Sequence, residues 1–177
     1  MDTLKKFHQA VDGFNETIGR ATAWLAIAMV LLQFTVVVMR YIFGFGSIMM
    51  QEGVLYLHGT LFMLGAGYTL LHEGHVRVDI FYRDASPERK ALVDMLGGLL
   101  ILLPFCGLVW WSSWSYVEQS WVILEGSRET SGIHAVYILK SMILAFATLL
   151  GLQGLSMAAR SYLVLKGATP ANEEPSS

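Results

Sequence analysis

The sequence predicts an all-α integral membrane protein: four transmembrane helices, plus short amphipathic helices at the membrane interface. Three observations predict it. The 177-residue chain is 54% hydrophobic and 15% charged, with a mean hydropathy of +0.51, whereas an ordinary soluble domain carries about 25% charged residues. The apolar residues collect in four charge-free runs, Ala21–Met39, Gly53–Leu71, Met95–Val117 and Ser141–Ala159, of 19, 19, 23 and 19 residues. At about 1.5 Å rise per residue, 19 helical residues reach about 28 Å, which matches a hydrocarbon core about 30 Å thick. The runs are also continuous. Barrel strands would alternate, and a helix satisfies its own backbone donors and acceptors, as lipid requires.

Taken in order, residues 1–20 repeat Leu4, Phe7, Val11, Phe14 and Ile18 at three- to four-residue spacing, the pattern of a helix lying on a membrane surface. The first run has no small-residue cleavage site after Met39, where Arg40 and Tyr41 follow, so it reads as a retained signal anchor. Tyr41–Gln51 is apolar but broken by Gly44 and Gly46, and reads as an interfacial elbow. The second run exits at Gly74, and Ser86-Pro87-Glu88 supplies N-cap, N1 and N2 of the next helix. Pro104 lies inside the third run and predicts a kink, because its missing N–H can be compensated by neighbours. The fourth run begins after Gly132 and extends past Arg160 toward Leu165. The expected organisation is one transmembrane domain over 1–166, with spans near 21–39, 53–71, 91–117 and 133–160, and a disordered tail over 167–177. The single cysteine, Cys106, sits mid-run and excludes an intrachain disulfide or a thiolate metal cluster.

Lys and Arg set the orientation. Nine of the 12 basic residues fall before the first run, between the second and third, or after the fourth, and only Arg40, Arg128 and Lys140 fall on the other side. Both termini are therefore expected in the cytoplasm. Trp110, Trp111, Trp114, Tyr116 and Trp121 collect near the outer end of the third run, as an interfacial belt does. A net charge of −2 without a basic stripe gives no nucleic-acid signal.

No catalytic motif, cofactor motif or metal-ligand spacing is present, so an enzyme is not expected. At the deep positions of the runs the polar side chains are Gln33, Thr35, Thr60, Thr148 and Gln153, which read as interhelical hydrogen-bonding groups. A transporter holding its own solute usually shows intramembrane charges or broken helices. His58 and His134, from two spans at similar depth, raise the alternative of a haem-binding membrane anchor of a respiratory oxidoreductase. His72 and His75 read as loop residues. Ala147/Gly151, Gly154/Ala158 and Gly65-Ala66-Gly67 permit close helix approach. Arg40, Glu52 and Lys140 flank the spans and require solvation or a charged partner.

The stretch Gly65-Ala66-Gly67-Tyr68-Thr69-Leu70-Leu71-His72-Glu73-Gly74-His75-Val76-Arg77-Val78-Asp79 resembles the signature of the small permease (DctQ-like) subunit of tripartite ATP-independent periplasmic (TRAP) transporters. Glu52 matches the acidic residue usual at the start of that helix, and Tyr137-x-x-Lys140 with Leu152-Gln153-Gly154 is similar to one branch of the family. Gln51 departs from the pattern, where many members carry a second acidic residue. The resemblance implies a small scaffold subunit in the bacterial inner membrane, with membrane lipids around it. Its implied partners are a large multi-span permease subunit that moves as an elevator with sodium, and a periplasmic substrate-binding protein that delivers an organic acid or related solute. It further implies subunit-interface or structural roles for Arg40, Glu52, Gly65, Gly67, His75, Arg77, Asp79 and Lys140. In an extended stretch His75, Arg77 and Asp79 would share one face and Val76, Val78 and Ile80 the other.

Overall fold

The computed structural model describes residues 1–76, 82 and 84–167. The described residues form α1 (Asp2–Tyr41), α2 (Ile48–Leu71), α3 (Pro87–Gly97), a π-helical segment (Gly98–Leu102), α4 (Leu103–Val122) and α5 (Val136–Leu165). Four helical rods are long and apolar enough to cross a membrane: α1, α2, the continuous Pro87–Val122 rod, and α5. The expected all-helical, four-span class is the observed one.

α5 is the axis of the bundle. It packs against α1, α2, α3 and α4, whereas among the described residues α1 and α2 make no close backbone approach to α3 or α4. Small residues make this possible. Cys106 packs on Ala147, Leu150 and Gly151 of α5, and a Cβ at Gly98 would stand 3.2 Å from the Gly154 carbonyl. Both small-residue pairs of the fourth run are thus engaged within the chain, and Cys106 serves packing.

The lead-in differs from its sequence reading. Residues 2–20 are no separate surface helix; they are the first five turns of a 40-residue α1, about 60 Å long. The face turned inward is Val11, Asn15, Gly19 and Thr22, while Phe7 and Phe14 of the apolar stripe stay exposed. A polar and small stripe beside the apolar one makes the helix-helix contact.

Pro104 does not end its helix. The Leu103 N–H bonds the Gly98 carbonyl, one residue further back than in an α-helix, so a π turn absorbs the donor and the space that proline removes. Ser86 caps α3 as expected, its hydroxyl accepting from Arg89 N at 3.4 Å with Pro87 in the first turn. The exit of α2 is a Schellman arrangement: Gly74 N–H bonds Thr69 O at 2.8 Å and Glu73 N–H bonds Leu70 O at 3.2 Å. Its left-handed residue is Glu73, at φ 52°, and not Gly74. The end of α4 repeats the pattern, with Leu124 left-handed at φ 45° and Glu125 N–H bonded to Ser120 O at 2.9 Å.

Candidate functional site

Polar side chains gather at the two ends of the bundle. At the elbow end, where α1 turns into α2, the loop between α4 and α5 is tied to both neighbouring helices. Glu52, in the first turn and a half of α2, accepts from the Ser127 hydroxyl and from Ile133 N–H at 2.6 Å. The Lys140 ammonium donates to Glu125 at 2.5 Å and lies 3.8 Å from the centre of the Tyr116 ring, a charge-assisted bond with a cation–π contact. Trp121 Nε1 donates to Ser141 Oγ at 2.7 Å, and its ring meets Tyr137 edge-on at 4.7 Å. The strained turn at Leu124 aims Glu125 back over α5, and the Lys140 bond holds the Glu125 carboxyl below its ordinary range.

At the terminal end, α1 meets α2 and α5. The Glu16 carboxylate accepts from Arg20 Nε at 2.6 Å and lies 2.6 Å from His72 Nε2. Tyr68 sits directly over Gly19, where any side chain would overlap its ring. Asp12, Asn15, Gln153 and Ser156 form a hydrogen-bonded chain between α1 and α5, and Gly67 of α2 closes on Asn15.

Of the residues singled out by sequence, Glu52 and Lys140 have partners within the chain. Arg40 is exposed in the last turn of α1. Gly67 is buried, whereas a methyl group at Gly65 would meet nothing within 4 Å, so the bundle itself makes no use of that space. His75 is exposed and Val76 fully so, at 103%. Arg77 and Asp79, with Val78, Ile80 and the tail from 168 onward, lie outside the described residues.

Among the deep polar groups, Gln153 crosses between helices, while the Thr35 and Thr148 hydroxyls each bond the carbonyl four residues back in their own helix, at 2.8 Å. The two histidines of the haem alternative have different neighbours: His58 stacks with Phe62 at 6.3 Å and His134 packs against Gly126. No group of three or more metal-binding side chains occurs among the described residues. Asp12, Asn15, Gly19, Glu125 and Ser127 escaped the sequence reading. The signal for Asn15 and Gly19 was their four-residue spacing after Val11 on one face of the helix.

Residues 29–164 match the family described as tripartite ATP-independent periplasmic transporters, DctQ component. Over 99 residues the chain is 29% identical to the C4-dicarboxylate TRAP transporter small permease protein DctQ of Vibrio cholerae serotype O1, a stretch covering 53% of this chain. That stretch spans 42% of the relative, less than half its length. No solved structure matches. The haem alternative finds no support in these relationships.

Proposed function

The chain belongs to the DctQ-component family of tripartite ATP-independent periplasmic transporters, and from that premise we propose that it is a fixed scaffold for a large permease subunit and itself neither binds nor moves solute. Family membership makes it a transport component, a small permease subunit in a multi-pass membrane setting. The finer reading is that the partner runs a sodium-coupled elevator for an organic acid or related solute. A periplasmic substrate-binding protein docks on the assembly, and both termini of this chain face the cytoplasm of a bacterium, from its inner membrane.

One observation carries the reading. Three of the deep polar groups bond within the bundle: Gln153 to α1, Thr35 and Thr148 to their own helices. Charged pairs stand at the bundle ends, where they brace loops. Such an arrangement resists deformation and offers no solute site, unlike the broken helices of self-sufficient transporters. Arg40, Gly65, His75, Arg77 and Asp79 are proposed to face the large subunit, with Glu52, Gly67 and Lys140 bracing the scaffold. The test is reconstitution. Liposomes holding this chain alone should show no sodium-driven uptake, and liposomes holding it with the large subunit and the binding protein should. Uptake by the chain alone, or failure to co-purify with the large subunit, would overturn the proposal.

A further inference from the structure

We propose that the Asn15 carboxamide, oriented by Asp12 through Gln153, locks the first twenty residues of α1 upright against the bundle by occupying the empty side-chain position of Gly67. The inference concerns this chain alone and stands apart from the transport reading.

The orientation follows from donors and acceptors. Asp12 Oδ1 accepts from Gln153 Nε2 at 2.9 Å and from Ser156 Oγ at 2.6 Å. The Gln153 amide therefore turns its nitrogen to Asp12 and its oxygen to Asn15, whose Nδ2 donates to that oxygen at 2.8 Å. Reversing either amide would set oxygen against oxygen. Asn15 Oδ1 is thus forced away from the chain of bonds and toward α2. It has no hydrogen-bond donor, although Asn15 is only 1% exposed, Gln153 3% and Ser156 1%. What it meets is Gly67: a Cβ there would overlap Oδ1 and come to 3.0 Å of Asn15 Cγ. Only a glycine leaves room, and its Cα–H is the group that can face the oxygen. His8 completes the cradle, with its carbonyl 3.3 Å from Ser156 Oγ and its Nδ1 3.5 Å from Asp12 Oδ2.

The lock has something to hold. The segment presents Phe7 and Phe14 outward and has the periodicity of a surface-lying helix. Two placements are therefore open to one sequence: docked along α5, or laid on the membrane. The buried amide chain selects the first.

The test uses the full chain in lipid nanodiscs, with Cys106→Ser and spin labels at Lys6 and Lys166, both exposed. The parent should give one narrow distance. Gly67→Ala should broaden or lengthen it, and Asn15→Ala, which removes the carboxamide that fills this space, should do the same. Gln153→Glu, which keeps the acceptor for Asn15 but sets a carboxylate against Asp12, should lose the narrow distance, while Thr148→Val should keep it. A parent-like distance in Gly67→Ala, in Asn15→Ala or in Gln153→Glu would overturn the proposal. Should Gly67→Ala fail to fold, folding of Asn15→Ala/Gly67→Ala supports the steric claim and its failure overturns it.

Discussion

Two glycines six residues apart on α1 should respond to the same substitution with opposite signs. At Gly19 an added Cβ would overlap Tyr68 Cγ and Cδ2 and reach 2.5 Å from Tyr68 Cβ. The tyrosine is rooted on α2 at the point of contact, so α1 and α2 must separate. Overpacking of this kind costs about 1–3 kcal/mol. At Gly13 nothing lies within 4 Å and the backbone is helix interior, so alanine there stabilises by about 0.5–1 kcal/mol through lower chain entropy. For a chain of this size one kcal/mol moves the melting temperature by roughly 2–4 °C. Gly19→Ala should therefore melt roughly 2–12 °C below the parent, and Gly13→Ala roughly 1–4 °C above it. The assay is thermal unfolding of the purified chain in one detergent, followed by intrinsic tryptophan fluorescence. A Gly19→Ala variant melting at or above the parent would refute the α1–α2 contact.

Further outcomes follow from the elbow end. Because Lys140 holds the Glu125 carboxyl below its ordinary value of 4.5, this pair stabilises the fold above that value. Its contribution is lost as pH falls through the depressed one, so parent and Glu125→Gln melting curves should converge on acidification. A constant gap down to acid denaturation would dissociate Glu125 from Lys140. Leu124→Asn should stabilise by about 1 kcal/mol, since asparagine tolerates the left-handed region that leucine does not; melting at or below the parent would argue against that turn. In a Cys106→Ser background, a cysteine at Ser127 should react with impermeant reagent from outside intact cells and one at Lys6 should not, and the reverse pattern would invert the topology.

The spans were legible because lipid imposes an all-round apolar run on any helix that crosses it, and Ser86-Pro87 declared its own helix start. Residues 2–20 were misread for a physical reason. The apolar stripe of Phe7 and Phe14 is the more conspicuous periodicity, yet it faces outward, while Asn15 and Gly19 make the contact. A helix in a membrane can bind its neighbours by small and polar groups, which hydropathy scores as solvent-facing. Glu52 was found by its position beside an apolar run. Its partner Ser127 was not, because a loop hydroxyl 75 residues away carries no local signature. Gly74 marks the exit of α2 by its residue type, but the hydrogen-bond register assigns the left-handed conformation to Glu73.

The position of α5 at the axis also fixes an order of assembly. A chain emerging from the ribosome delivers the α1–α2 hairpin first, and that pair can close on itself through Gly19 and Tyr68. The long Pro87–Val122 rod comes next and finds no close backbone partner in that hairpin. Hairpin and rod must wait in the bilayer as separate bodies until Val136–Leu165 arrives between them. The last helix made is the one that packs four spans into one subunit, and a chain interrupted before it holds hairpin and rod on one tether with no close backbone contact between them among the described residues.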